Sequence, residues 1–238
     1  NAEDADFVLF NTCAVREHAE DRVFGNVGAL KHNKRRNEDL IIGLCGCMMQ
    51  QPQVVDEMKE KFPWVDVIFG THNIHEFPEL LEKYFAKNKR QRSVWEEHGE
   101  IVEGLPCDRL FRHKAFVNIM YGCNNFCTYC IVPYVRGREH SRPIDDVVRE
   151  VHTLIDAGYR EVMLLGQNVN SYAFEEESGE VINFAKLLKI IAERFPTMRI
   201  RFSTSHPKDM SNETLETIAA YKNICNHIHL PVQSGSSR

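Results

Sequence analysis

GCNNFCTYCIVPYVRG, residues 122–137, is the stretch on which the reading of this chain turns. Cys123, Cys127 and Cys130 stand at C-x3-C-x2-C, directly after an apolar run containing Phe116, Val117, Ile119 and Met120 that predicts a strand. One loop therefore carries three soft thiolate donors, a set suited to three corners of an iron-sulfur cube. A four-iron cluster needs a ligand on each iron, so three thiolates leave one iron open to a small molecule. A structural zinc site wants four closed ligands, usually as two C-x2-C pairs, and no second pair lies within about 20 residues. Cys107 and His140 are the candidate fourth ligands that keep the zinc reading open.

Downstream of this loop, Arg142-Pro143 followed by Ile144, Val147, Val148, Val151, Leu154 and Ile155 predicts an amphipathic helix with proline at its first turn, stopped by Gly158. A strand over 161–166 runs into the polar residues Gln167, Asn168, Val169, Asn170, Ser171 and Tyr172. Residues 175–180 read as a surface turn, 184–195 as a helix, 200–203 as a strand, 212–221 as a helix and 227–230 as a fourth strand. Four βα units with polar residues just past each strand describe an incomplete TIM-like (β/α) barrel whose site lies on the carboxyl face. A barrel left open after a strand exposes an unpaired edge. The sequence is therefore expected to be a fragment at both ends, or to be completed by a neighbouring chain.

Upstream, strands predicted over 6–10, 40–45 and 65–69 alternate with helical patterns over 14–34, 54–62 and 74–85, the pattern of an open parallel α/β sheet. Ligands in such a sheet bind beyond the carboxyl ends of the strands, where Cys13 and Cys47 sit, and two thiolates at adjacent strand tips suit a shared metal. Cys45 falls inside a strand and reads as a small buried hydrophobe. Residues 87–106 are polar with little periodicity and read as linker; Cys107 follows, and neither it nor Cys225 receives a role. The expected organisation is an amino-terminal α/β domain over 1–86, a linker over 87–113 and a partial barrel over 114–238.

Composition bounds the function class. With 43% hydrophobic residues among 238, the chain can build a core for one large or two ordinary domains. No apolar run approaches the ~20 residues of a membrane-spanning helix, and residues 1–10 lack a secretory signal pattern, so a cytoplasmic protein away from membranes is expected. Eight cysteines in a chain of this length do not make a disulfide scaffold. The net charge of -5 argues against non-specific coating of nucleic acid; basic islands at 31–36, 87–92, 109–114 and 136–142 read first as solvated faces.

The cysteine loop, with the aromatic Tyr129 before Cys130, resembles the cluster motif of radical S-adenosylmethionine (SAM) enzymes, and GCNNFCTYCIVPYVRGREHSR resembles the methylthiotransferases, in particular the branch that acts on tRNA. The resemblance covers essentially the whole chain. It implies a four-iron cluster on Cys123, Cys127 and Cys130 that binds SAM at its open iron, with Tyr129 near the SAM adenine. LGQNVNSY (165–172) occupies the place of a motif that meets the methionyl amine and offers Gln167 and Asn168. STSHP (203–207) and HLPVQSGS (229–236) resemble motifs of the same branch; Arg201 suits the SAM carboxylate, and Gln233 and Ser234 suit SAM or the target base. NTCAVREHAE around Cys13 and GCMMQQ around Cys47 resemble the domain in which three cysteines hold a second four-iron cluster; the third of them has no counterpart in this sequence.

What the resemblance implies for activity is a two-stage reaction. One SAM yields a radical that takes hydrogen from adenine C2 of N6-dimethylallyladenosine beside the tRNA anticodon, a sulfur carried by the second cluster takes its place, and another SAM methylates that sulfur. A base in an anticodon loop can be splayed out and stacked, with Tyr129 or Tyr134 as partners. Expected partners are tRNA and an electron donor such as flavodoxin or ferredoxin, with the chain a monomer. The rivals are a sibling enzyme acting on threonylcarbamoyladenosine in tRNA or on a ribosomal-protein aspartate, a non-catalytic zinc or iron-sulfur regulator, and a disulfide-stabilised interaction domain.

Overall fold

The computed structural model describes residues 4–14, 17–87, 89–95, 102–105 and 107–236. In chain order the elements are β1 (Phe7–Thr12), α1 (Glu17–Arg36), β2 (Ile41–Gly46), α2 (Pro52–Lys61), β3 (Val67–Phe69), α3 (Phe77–Lys87), β4 (Gln91–Ser93), β5 (Lys114–Asn118), β6 (Met120–Tyr121), α4 (Val132–Arg136), β7 (His140–Ser141), α5 (Ile144–Asp156), β8 (Glu161–Leu165), β9 (Ala173–Glu175), β10 (Val181–Asn183), α6 (Phe184–Arg194), β11 (Arg199–Phe202) and α7 (Asn212–Ala220). They form two compact units, Asn1–Val102 with Asn125–Gly137, and Glu103–Asn124 with Arg138–Arg238. No helix among the described residues is long and apolar enough to cross a membrane.

The first unit is a four-stranded sheet in the order β1-β2-β3-β4, every pair parallel. Strand β2, IIGLCG, is buried at all six positions, which is what a central parallel strand with helices on both faces demands. Period-2 alternation sends Ile42 and Leu44 to a core with Val27 and Leu30 of α1 and Val54, Val55 and Met58 of α2. Ile41 and Cys45 face the other way, toward Val67, Phe69 and Leu80 of α3. Ile42 and Leu44 are both 0% exposed and contribute roughly 1.5–3 kcal/mol each by burial. Buried Asp66, at the head of β3, is fully partnered: its Oδ2 accepts from the Ile42 amide at 2.9 Å and Lys34 Nζ at 3.0 Å, and its Oδ1 from Tyr84 Oη at 3.2 Å.

The helix expected over 74–85 starts as a 3₁₀ turn, Ile74–Glu76, and becomes α-helical only as α3. Within the polar stretch read as linker, Gln91–Ser93 extends the sheet as β4, paired with β3 through Val67↔Gln91, Ile68↔Arg92 and Phe69↔Ser93.

Gly46 ends β2 at φ +96°, and a Cβ there would lie 2.3 Å from Thr12 O and 2.6 Å from Asn11 Oδ1. Only glycine allows β1 and β2 to close up at their carboxyl tips. Gly46→Ala is expected to cost about 2–4 kcal/mol, from the left-handed backbone and the clash with a neighbouring strand, read as a fall in the thermal midpoint.

The second unit has a three-stranded parallel sheet, order β11-β8-β5, with Arg201↔Met163↔Phe116 across the middle. Ile200, Phe202, Val162, Leu164, Ala115 and Val117 pack with Val147, Val151 and Leu154 of α5, Leu187, Leu188 and Ile191 of α6, and Ile218 of α7. The alternate positions are not sealed: Phe116 is 43% exposed, Asn118 is exposed, and Met163, Leu165 and Arg201 are half-buried. A parallel sheet with one open face has a surface left for something else to cover.

Two sequence expectations change here. The fourth strand over 227–230 does not form: β11 gains only the isolated bridge Ile200↔Ile224, because the chain bends in a tight turn (His227 N–H to Cys225 O, 2.8 Å) and next meets the sheet region at Ser205 N–H to His229 O. The expected four-strand count thus falls to three. The apolar run 116–120 is also split: β5 stops at Asn118, and Met120–Tyr121 turns away to pair antiparallel with His140–Ser141. The surface turn expected at 175–180 lies inside a hairpin, β9 with β10.

Candidate functional site

The cysteine loop owes its shape to a few backbone positions. Gly122 (φ 73°) and Phe126 (φ 46°) adopt left-handed conformations, the Cys130 amide closes a turn on Cys127 O at 2.9 Å, and Gly137 (φ 73°) ends α4. Cys123 is buried, while Cys127 and Cys130 are half-buried, and none of the eight cysteines is in a disulfide. Tyr129, 69% exposed, has its hydroxyl pKa raised, first by desolvation and then by Cys127, to which it hydrogen-bonds, and Cys130. Phe126 and Tyr134 stand edge to face, ring centroids 5.8 Å apart, and both are exposed.

Among the described residues no three His, Cys, Asp or Glu side chains stand close enough together to hold a metal ion. Cys107 and His140, the candidate fourth zinc ligands, are both exposed and join no such group. The donor set nonetheless fits a thiolate-ligated cluster by its chemistry: three cysteines on one short loop, with no disulfide to break.

At the carboxyl end of the first sheet, the last β1-β2 pair is Thr12↔Gly46, so Cys13 and Cys47 each follow one residue beyond it. Cys13 is exposed; Cys47 opens the buried 3₁₀ turn Cys47–Gln50 and its Sγ accepts from Arg136 Nε at 2.9 Å. Cys45 is 1% exposed in the core, and burial pushes its thiol up to about 11. At pH 8 Cys45 stays a thiol, the unreactive form. Iodoacetamide is therefore expected to label exposed Cys13 and Cys107 of the folded, cluster-free protein and to leave Cys45 unmodified, as peptide mass spectrometry would read.

At the carboxyl end of the second sheet, the loops after β8 and β11 are stitched together. Asn170 Nδ2 donates to His206 O and the His206 amide to Asn170 Oδ1, both at 2.8 Å, while the Val169 amide donates to Thr204 O at 3.0 Å. Asn168 is 2% exposed, and its Nδ2 donates to Asp209 Oδ2 at 2.7 Å. A carboxylate only accepts, so this bond fixes the amide orientation and leaves Asn168 Oδ1 as the spare acceptor. That oxygen, Gln167 Oε1 and Ser205 Oγ are buried without a hydrogen-bond partner. Buried polar atoms are normally satisfied, so two acceptors and a hydroxyl left open at strand ends point to a polar ligand that donates to them.

The remaining sequence-derived candidates lie elsewhere in this unit. Arg201, in mid-β11 on the open face, has Nε 3.4 Å from Glu161 Oε1, an ion contact without hydrogen-bond geometry. Register places Glu161 level with Arg199, so Arg201 leans toward the amino end of the sheet. Gln233 and Ser234 are exposed and bond within their own segment, to Pro231 O and Ser236 O. Ser205 lies within the STSHP motif without a role of its own there, and sequence reasoning passed over Asp209, two residues past that motif. It also passed over Arg142, 4% exposed, whose guanidinium donates to Glu103, Glu150 and Asn118 O.

A family model described as Radical SAM superfamily matches residues 117–238, and another, described as Uncharacterized protein family UPF0004, matches residues 1–70. The tRNA-2-methylthio-N(6)-dimethylallyladenosine synthase of Clostridium tetani is 54% identical over 241 residues, covering 100% of this chain and 53% of that protein. The enzyme of the same name from Alkaliphilus oremlandii is 54% identical over 238 residues, covering 100% of this chain and 50% of its own length. The chain thus spans about half the length of the curated relatives it matches. Among solved structures, the radical SAM methyltransferase TsrM of Kitasatospora setae, with tryptophan and a SAM analogue bound, superposes with TM-score 0.61 at 15% identity, over 94% of this chain and 47% of that one. That likeness is one of fold.

Proposed function

The chain belongs to the radical SAM superfamily, and from that premise we propose that it works as a tRNA methylthiotransferase, converting N6-dimethylallyladenosine next to the anticodon to its 2-methylthio derivative. The observation that carries the reading is the C-x3-C-x2-C loop, its cysteines outside any disulfide, inside a sequence 54% identical over its whole length to enzymes named for that product. A four-iron cluster held by Cys123, Cys127 and Cys130 would supply the electron that cleaves the SAM sulfonium, the source of the radical that takes the adenine C2 hydrogen.

The chain's own residues then have definite tasks. Cys123, Cys127 and Cys130 ligate the cluster. Tyr129, beside Cys127, flanks the SAM adenine. Gln167 Oε1 and Asn168 Oδ1, the unfilled acceptors after β8, take hydrogen bonds from the SAM ammonium, with Asp209 holding Asn168 in orientation. Arg201 serves the SAM carboxylate once it is drawn from Glu161, and Gln233 and Ser234 belong to the segment that meets SAM or the base. Cys13 and Cys47 are two ligands of a second four-iron cluster that carries the sulfur. Exposed Tyr134 offers a face for the splayed base. The partners are the tRNA anticodon loop and a flavodoxin- or ferredoxin-like electron donor, and the protein acts as a cytoplasmic monomer.

The test is anaerobic reconstitution with iron and sulfide counting, then electron paramagnetic resonance of the reduced protein before and after SAM. At least about four irons per chain and a spectrum that shifts with SAM support the reading. Bound zinc with no response to SAM overturns it. Mass analysis of nucleosides from tRNA bearing dimethylallyladenosine or threonylcarbamoyladenosine then decides the substrate by which one gains a methylthio group.

A further inference from the structure

We propose that the Ser205 hydroxyl is a further SAM-binding group, one that donates to the carboxylate of the methionyl end. This role rests on the reading of the chain as a radical SAM enzyme, but the observations that carry it are separate. Ser205 is 3% exposed, and its Oγ is buried with no hydrogen-bond partner among the described residues. An unpaired buried hydroxyl costs stability, so a place kept at that cost is one that another molecule fills.

The hydroxyl is held in position from both sides. Thr204 stands at φ 69°, a left-handed conformation that a β-branched residue adopts only under constraint. Its carbonyl accepts from the Val169 amide at 3.0 Å, the Ser205 amide donates to His229 O at 3.2 Å, and the His206 amide donates to Asn170 Oδ1 at 2.8 Å. Three consecutive residues are thus tied to neighbouring segments, while the side chain in the middle is left open. The other two open groups, on Gln167 and Asn168, directly precede Val169 in the loop that Thr204 holds.

The three groups differ in what they can do. Gln167 Oε1 and Asn168 Oδ1 only accept, whereas a serine hydroxyl also donates. The amino-acid end of SAM carries an ammonium that only donates and a carboxylate that only accepts, both on one carbon. Two acceptors beside one donor are the complement of that pair, and a hydroxyl-to-carboxylate bond is of the stronger, charge-assisted kind. Arg201, whose Nε lies 3.4 Å from Glu161 Oε1, has to leave that carboxylate before it can serve another. Ser205 needs no such rearrangement.

The test is equilibrium dialysis of SAM against the reconstituted protein, kept oxidised so that no SAM is consumed. Decarboxylated SAM, which keeps the amine and lacks the carboxylate, is the comparison ligand. Ser205→Ala is expected to bind SAM about tenfold more weakly and decarboxylated SAM within about twofold of the parent. The thermal midpoint of the ligand-free alanine variant is expected at or above that of the parent, since an unpaired buried hydroxyl is gone. SAM affinity within about twofold of the parent, an equal loss for both ligands, or a lower midpoint overturns the proposal. Where decarboxylated SAM binds too weakly to measure, Ser205→Thr decides on SAM alone. Threonine binding at least about threefold tighter than alanine supports the donor role, and anything less overturns it. A parent that binds no SAM overturns the functional reading and this inference with it. A parent that binds SAM beside an unaffected alanine variant overturns this inference alone.

Discussion

Cys127→Ala is expected to abolish SAM cleavage, with 5'-deoxyadenosine formation falling to the no-enzyme background and about four irons per chain lost. Cys127 lies midway in the loop, and the Cys130 amide bonds its carbonyl at 2.9 Å. Two thiolates cannot hold three irons of a cube, and the remaining candidates do not substitute: Cys107 is exposed and joins no metal-binding group among the described residues. A merely structural cysteine would cost stability and leave iron content alone, so iron analysis and a thermal melt on the same sample separate the two. Retained cleavage would remove Cys127 from the ligand set.

Arg142→Met should be the most damaging substitution away from the cysteines. The Arg142 side chain is 5% exposed. Its Nη1 donates to Glu150 Oε2 at 2.8 Å, its Nε to Glu103 Oε1 at 2.6 Å, and it also reaches Asn118 O at the tip of β5. Desolvation pulls the guanidinium pKa down, but Glu103 and Glu150 outweigh it and the net shift is upward. The residue's own backbone is committed as well: its amide donates to Ile119 O at 2.9 Å, and its carbonyl accepts from buried Tyr172 Oη at 2.8 Å. Removing the cation leaves Glu103 and Glu150 without their shared guanidinium, and Arg109 Nη2, 2.8 Å from Glu150, compensates one of them. Such a loss costs roughly 3–5 kcal/mol, and about 2–4 °C of thermal midpoint per kcal/mol puts the fall near 6–20 °C. A midpoint within 2 °C of the parent would mean the network contributes nothing net. Glu150→Gln, which leaves the guanidinium paired with Glu103, is expected to cost less than half as much.

What could be read from the sequence follows the range of the interaction involved. Strands β1, β2 and β8 and helices α5 and α6 announce themselves by local hydrophobic period, and the structure forms them within a few residues of the expected bounds. Strand β4 is polar, with sequence QRS, and exists because β3 offers it a backbone ladder; nothing in its side chains declares that. The segment 227–230 has the alternation of a strand, yet a turn at Cys225–His227 breaks it. Helix α4 is only five residues long, too short to form without Pro133 and Val135 buried beneath it. The cysteines were legible because their spacing is local. The pairing of Asn168 with Asp209, 41 residues on, and of Arg136 with Cys47 was not, since each depends on the fold bringing distant loops together.

The division of the chain has a topological consequence. The sequence passes between its two units at 102/103, at 124/125 and again at 137/138. No single scission therefore yields both units whole. A piece ending before residue 125 would leave the first unit without the segment that fills the place of Val135 and bonds Thr71 and Cys47. The dependence is one-sided: every residue of the second unit lies after 102, while the first unit draws residues 125–137 from within the second unit's stretch of sequence.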